Sequence, residues 1–176
     1  EWTPFDHPTL GPVEVGGWHP KFYSQNAPPG DLEKWARNQG LFNLAMAQHL
    51  PLLEVSQVQV QRTGGEGDLA NYDVTVTWKN TGGLPTALRQ ARLVKVVRED
   101  RALLEFDRGL TAGAEPRVRI VEPGPQGSVN MGWLDPGQSA TTTFKIEVRG
   151  TAPVQGTARV LSTRGGVVER SFTVGR

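Results

Sequence analysis

The feature that most restricts the fold is a period of two that begins near Leu53, where apolar and polar residues start to alternate in short runs. In YDVTVTW, residues 72–78, a large side chain occupies every second position, as expected for a strand with one buried face. The same pattern predicts roughly nine strands. They are EVSQVQVQ, with a phase slip near Ser56, then YDVTVTW, ARLVKVVRE, ALLEF, RVRIV, SVNMGWL, TTTFKIEVR, GTARVLST and VVERSFTV.

Turn sequences separate these runs. The clearest are Gly64-Gly65, Gly82-Gly83, Asp135-Pro136-Gly137 and Gly165-Gly166. Short alternating strands with this punctuation predict a mainly β protein, an antiparallel β-sandwich of immunoglobulin-like or transthyretin-like type. We expect the sandwich to occupy residues 52–176.

The first 30 residues are rich in proline and glycine, which excludes a long helix there. We expect an irregular arm with at most one short strand, near Val13 to Val15. The arm also carries five large aromatic side chains, which need a packing partner. They are Trp2, Phe5, Trp18, Phe22 and Tyr23.

Residues 31–51 predict the only long helix. Asp31 is a good N-cap, and Pro51 stops the helix from continuing. Residues at helical spacing predict a buried stripe, and Gly40 within the helix indicates close packing against a neighbour. The stripe consists of Leu32, Trp35, Phe42, Ala45, Met46 and His49. The expected division is therefore an arm and helix, residues 1–51, followed by the sandwich.

Charge and cysteine content exclude several classes of function. The chain has 19 Lys and Arg against 18 Asp and Glu, interspersed, which gives no basic surface for nucleic acid or an anionic membrane. No apolar run is long enough to span a membrane, and the start lacks the pattern of a signal peptide. Without Cys, thiol catalysis and thiolate metal sites are excluded. We expect the chain to be part of a longer polypeptide.

The residues alone predict no metal or cofactor site in this chain. The three histidines, His7, His19 and His49, lack the spacing of a zinc site. His49 falls on the apolar stripe, where a packed or helix-end role is favoured. Asp6 and His7 are neighbours on an extended chain, so their side chains point to opposite sides and a structural role is favoured. No nucleophile or phosphate-loop motif is present.

The arm and helix resemble a known family. EWTPFDHPTLGPVEVGGW, the PP of NAPPGDL and the following helix with Trp, Asn and Phe resemble the C-terminal end of the catalytic domain in bacterial zinc carboxypeptidases of the carboxypeptidase A superfamily. NTGGLPT, residues 80–86, resembles a turn in the sandwich that follows that domain in one branch. The resemblance implies a secreted or periplasmic parent enzyme that removes C-terminal residues from peptides with a zinc-activated water. The family's zinc ligands match nothing here, so zinc and the peptide substrate are expected at an upstream catalytic domain. This chain alone is expected to be inactive.

Glu14 is the one residue to which the resemblance assigns possible chemistry. The family's general base is a Glu at the end of a late strand before the final helix, and Val13-Glu14-Val15 followed by the helix at Asp31 reproduces that order. The alternative is a structural Glu14, with the base supplied earlier.

A second hypothesis is a stand-alone extracellular immunoglobulin-like binding or adhesion module. WLDPGQSATTTFKIEV also resembles such modules, in which the LDPGQS segment is a tight turn. An exposed aromatic patch on one sheet face would favour this hypothesis, whereas aromatic residues concentrated in the arm would favour the enzyme fragment.

Overall fold

The computed structural model describes residues 1–17, 21, 24–26 and 28–175 of the chain. They form two compact units, Glu1–Ala47 and Gln48–Arg176. The first contains a hairpin and a helix, and the second is an antiparallel β-sandwich. The predicted fold class is confirmed.

The first unit opens with a β-hairpin formed by β1 (Trp2–His7) and β2 (Gly11–Gly16), paired antiparallel over six residues each. The prediction of at most one strand in the arm was therefore wrong. Pro4 and Pro12 lie within the strands. Each strand of a two-stranded ribbon has a single partner, so a proline is tolerated where its missing N–H is not needed. Proline density excluded a helix here without excluding strands.

Helix α1 (Leu32–Gln48) follows, and the backbone carbonyl of Asp31 accepts a hydrogen bond from the N–H of Trp35 at 3.0 Å. The helix ends before Pro51, as predicted. The stripe predicted to be buried is instead exposed, because α1 has no buried residue. Gly40 is also not closely packed, since a Cβ placed there meets no atom within 4 Å.

Over residues 52–175, the sandwich contains eight strands in two four-stranded sheets. In chain order they are β3 (Leu53–Gly64), β4 (Leu69–Asn80), β5 (Arg101–Phe106), β6 (Val118–Glu122), β7 (Ser128–Asn130), β8 (Ser139–Arg149), β9 (Val154–Ser162) and β10 (Gly166–Val174). One sheet has the order β3-β4-β8-β6 and the other β10-β9-β5-β7. All strand pairs are antiparallel.

The core consists of the inward-facing residues of both sheets. On β4, Val74, Val76 and Trp78 are fully buried, as the alternation in YDVTVTW predicts. Phe144 on β8 and Val160 on β9 are also fully buried in the same cluster. The phase slip predicted near Ser56 is a register shift between Val55 and Gln57, where β3 contains one extra residue relative to β4.

One predicted strand was wrong. ARLVKVVRE, residues 91–99, contains the end of the short helix α2 (Arg89–Leu93) and an irregular segment. Its apolar residues occupy both odd and even positions, so no single strand face can bury them all. Val97 is buried, whereas Leu93, Val94 and Val96 are exposed. A second short helix, α3 (Arg108–Thr111), follows β5 and is capped by Asp107, whose Oδ1 accepts from the N–H of Gly109 at 2.7 Å.

Candidate functional site

Glu14 lies inside strand β2, opposite Pro4 in the hairpin, and its side chain is exposed. The two glycines that follow it have structural explanations. A Cβ on Gly16 would lie 2.5 Å from the carbonyl oxygen of Glu1, and one on Gly17 would lie 2.7 Å from the indole ring of Trp2. The glycines of GPVEVGGW therefore allow the hairpin to close and the Trp2 ring to pack on it.

The two described histidines, His7 and His49, make local structural contacts. His7 organises the hairpin turn, because its Nδ1 accepts hydrogen bonds from the N–H groups of Thr9 at 3.2 Å and Leu10 at 3.3 Å. The His7 ring also makes an edge contact with Phe5. His49 follows the last residue of α1 and lies close to Gly83. His19 lies outside the described residues.

Within the described ranges, no group of three or more His, Asp or Glu side chains is placed to hold a metal ion. The described residues therefore assemble no donor set for a zinc ion. In the same part of the chain, no helix has the length and hydropathy needed to span a membrane.

The first unit instead leaves many large apolar side chains exposed, on the hairpin and on α1, and we call this set of residues the aromatic face. It is made of residues that are 44% to 73% exposed. These are Trp2, Phe5, Leu10, Val15, Leu32, Trp35, Leu41, Phe42, Leu44 and Met46. Monomeric soluble proteins seldom leave so many large apolar side chains in water, and such surfaces commonly mark docking sites.

The surface of the sandwich is different. Its exposed large hydrophobic residues are all Leu or Val. Its aromatic residues are buried or partly buried, with Trp78, Phe144 and Phe172 in the core cluster. Phe106 meets Phe172 edge to face, with ring centroids 5.8 Å apart. No sheet face of the described sandwich therefore carries an exposed aromatic patch.

A buried polar junction anchors the NTGGLPT turn. Asn80 is fully buried, and its Oδ1 accepts from the N–H groups of Leu52 at 3.2 Å and Gly82 at 3.1 Å. Its Nδ2 donates to the carbonyl oxygens of Leu84 at 2.8 Å and Leu134 at 3.3 Å. One amide thus joins the start of β3, the turn and the segment before β8, which gives the Asn of the motif a structural role.

Thr86 and Asp100 extend this junction. Thr86 is fully buried, and its Oγ1 accepts from the N–H of Leu134 at 2.9 Å. Asp100 is 1% exposed, and neither carboxylate oxygen has a hydrogen-bond partner of acceptable geometry among the described residues. Sequence reasoning missed Asp100, because an acid in the run RED looks like a surface residue.

Burial raises the pKa of the Asp100 carboxyl above its ordinary value. The hydroxyls of Ser162 and Thr86, the backbone of Leu134 and the positive charge of Arg92 lower the pKa, but they do not outweigh desolvation. The guanidinium of Arg92 is itself engaged with Asp135.

Comparison with known proteins identifies the sandwich. Residues 52–173 match a family described as a domain of unknown function, DUF8731. The chain belongs to this family. The DUF8731 match spans all eight strands of the sandwich except the last residue of β10, and it does not extend to the hairpin or α1. No curated protein matches the chain.

Several solved structures are distantly similar to this DUF8731 protein. The archaellum periplasmic stator protein FlaG from Sulfolobus acidocaldarius is 15% identical, with 70% of this chain and 100% of FlaG covered and a TM-score of 0.31. A CARDB domain from Pyrococcus furiosus is 18% identical, with coverages of 72% and 88% and a TM-score of 0.36. A glycosyl hydrolase family 2 member from Bacteroides cellulosilyticus is 15% identical, with coverages of 70% and 15% and a TM-score of 0.40. These similarities are too distant to transfer a function.

Proposed function

We propose that the chain is the C-terminal region of a zinc-dependent carboxypeptidase, with the hairpin and α1 closing the catalytic domain and the sandwich serving as an accessory domain. The parent enzyme removes C-terminal residues from peptides and is secreted or periplasmic. The chain by itself has no peptidase activity. The proposal combines the carboxypeptidase-like sequence of the arm and helix with the distribution of exposed aromatic side chains.

The observation that carries the proposal is that distribution. The exposed aromatic side chains of the described residues all belong to the first unit, and they are Trp2, Phe5, Trp35 and Phe42. A surface of this kind needs a partner to exclude water from it. The occupant we assign is the upstream catalytic domain, because the motif surrounding Trp2 and Phe5 resembles the end of that domain.

Zinc belongs, under this proposal, to the upstream domain. The described residues gather no set of ligands for it. The one contribution to chemistry that this chain could make is Glu14, which is exposed on β2 with no protein partner among the described residues. The resemblance gives it the role of accepting a proton from the attacking water.

Replacement of Glu14 in the full-length enzyme tests that role. Glu14→Gln removes the basic oxygen at nearly constant shape, so turnover should fall by several orders of magnitude while peptide binding changes little. Glu33→Gln, at an exposed acid in the first turn of α1, is the matched control and should retain activity. Near-normal turnover for Glu14→Gln would make this residue structural.

A stand-alone extracellular binding or adhesion module is the second candidate. It is favoured by the boundaries of the family match, which covers the sandwich and leaves the first 51 residues outside. The sandwich also has a complete core cluster of its own. A domain of this kind could occur beside many different neighbours.

The coding sequence upstream of Glu1 separates the two candidates. The carboxypeptidase proposal requires a domain with a His-x-x-Glu pair directly before this chain, and the full product should release C-terminal residues from peptides in a chelator-sensitive manner. An upstream sequence without that pair would exclude the proposal. Calorimetric titration of the 176-residue chain with zinc should show no tight stoichiometric binding, and such binding would contradict the placement of zinc upstream.

A further inference from the structure

We propose that a cationic cleft on the sandwich binds a small polyanion, a ligand with two or more carboxylate, sulfate or phosphate groups. The cleft has a volume of about 350 Å³ and lies between the segment that precedes β5 and the segment that contains β7. Its polar and aromatic lining consists of Lys95, Arg98, Glu99, Arg101, Asn130 and Trp133.

The charge of the cleft is unbalanced. Three cations line it against one carboxylate, that of Glu99. In the described part of the chain, none of these cations forms an ion pair, whereas Arg92, Arg149 and Arg159 of the same unit each bind a carboxylate. Two of the three cations are arginines, whose planar guanidinium groups bind carboxylate, sulfate and phosphate through paired hydrogen bonds. The cleft therefore offers binding capacity for an anion that no neighbouring side chain uses.

The cleft is built on a fixed backbone. The indole Nε1 of Trp133 donates to the carbonyl oxygen of Arg98 at 3.1 Å. The N–H of Asp100 donates to the carbonyl oxygen of Gly132 at 2.8 Å, and the N–H of Met131 donates to the carbonyl oxygen of Asp100 at 2.8 Å. Arg101 is paired with Asn130 across β5 and β7. These bonds fix the backbone of the cleft, so that binding an anion requires the ordering of the cationic side chains and little change of the backbone.

Lys95 supports the same interpretation. Its φ of 53° lies in the left-handed region, and Lys95 is the one non-glycine residue of the described chain that has a positive φ. This conformation ends helix α2, because the N–H of Lys95 donates to the carbonyl oxygen of Arg92 and the N–H of Val96 donates to the carbonyl oxygen of Ala91, both at 3.3 Å. The backbone position of Lys95 at the cleft is therefore fixed by the helix end. Val97, two residues after Lys95, is 5% exposed.

The uncharged lining residues restrict the chemical class of the ligand. The amide of Asn130 can donate to and accept from hydroxyl groups, and the ring of Trp133 supplies an apolar wall beside the cations. An acidic sugar has anionic groups for the cations, hydroxyl groups for Asn130 and an apolar ring face for Trp133. A free polyphosphate has only the negative charge. The shared chemistry is a cluster of oxyanions.

Isothermal titration calorimetry of the 176-residue chain tests the proposal with three probes: pyrophosphate, a sulfated uronic acid disaccharide and an uncharged disaccharide. Both anions should bind with one-to-one stoichiometry and weaken as salt increases, and the uncharged sugar should not bind. Tighter binding of the sulfated disaccharide would identify a sugar-borne anion, and tighter binding of pyrophosphate would identify a phosphate. No binding of either anion at millimolar concentration would overturn the proposal.

Matched variants distinguish anion binding at the cleft from nonspecific attraction to the positive charge of the protein. The triple variant K95Q/R98Q/R101Q should weaken anion binding by about 1,000-fold, to below detection by calorimetry, since each of the three charge-assisted contacts contributes about tenfold. R62Q/R108Q/R164Q removes the same charge from exposed positions outside the cleft and should leave affinity within about twofold. Equal losses in both variants would overturn the proposal. Amide NMR shifts confined to residues 95–101 and the Trp133 indole on titration of the unmodified protein provide a readout that does not depend on variant folding, and their absence would also overturn it.

Discussion

The two units of the molecule differ in where their large apolar side chains lie. Helix α1 has no buried residue, although its stripe has the spacing of a core-facing helix. In the sandwich, strand β4 has the spacing of a half-buried strand and buries Val74, Val76 and Trp78 completely. Apolar periodicity therefore identifies the face that a segment would bury, but it does not show that the cover belongs to the described chain.

Removal of one tryptophan from each unit should give the largest contrast. Trp78→Ala leaves a cavity in the sandwich core and should lower the free energy of unfolding by about 3–5 kcal/mol. Trp35→Ala removes a side chain that is 58% exposed and should change stability by less than about 0.5 kcal/mol. Urea unfolding followed by circular dichroism measures both. Equal destabilisation would show that the aromatic face is packed within this chain.

Loss of the Asn80 amide should have the next largest effect. Asn80→Ala leaves buried backbone donors and acceptors without partners at the junction of β3, the turn and the segment before β8, which should cost about 2–4 kcal/mol. Asn130→Ala, at an exposed position on β7, should cost less than about 1 kcal/mol. Thermal denaturation of the two variants side by side is the measurement. Similar melting temperatures would contradict a special role for Asn80.

Asp100 gives a smaller, pH-dependent effect. Its pKa in the folded protein is raised above the ordinary value of 3.8, so the folded state holds this proton more tightly than the unfolded chain. The contribution of the group to stability is complete below pH 3.8 and is lost as the pH rises through the raised pKa. Asp100→Asn cannot ionise, so its stability relative to the unmodified protein should increase through that window and then level off. Urea unfolding at a series of pH values checks this, and a difference that does not vary with pH would contradict it.

Much of the sandwich could be predicted from the sequence, because each strand buries one face and its apolar and polar residues therefore alternate. The bulge at Ser56 was visible for the same reason, as a break in the phase of Val55, Val58 and Val60. The structure of residues 91–99 could not be predicted, since apolar residues at both odd and even positions do not indicate which side of a strand would be buried. Its structure depends on contacts distant in sequence, such as the bond between Trp133 and Arg98.

The candidate sites were harder to predict than the fold. The cleft combines Lys95, Arg98 and Arg101 with Asn130 and Trp133, which the sequence separates by about thirty residues and which β5 and β7 bring together. Glu14 could be singled out only through the order of motifs around it, and its catalytic role stays a prediction. The hairpin could not be predicted from proline content, because proline excludes helix interiors but is tolerated in strands with a single partner.

The most direct test of the central claim is covalent footprinting of the aromatic face by mass spectrometry, in the 176-residue chain and in the full-length product of its gene. We predict that Trp35 and Phe42 are heavily labelled in the chain alone and severalfold less labelled in the full-length protein. Val167, exposed on β10, serves as the control and should be labelled equally in both. Equal labelling of Trp35 and Phe42 in the two proteins would contradict the proposal that these residues pack against an upstream catalytic domain.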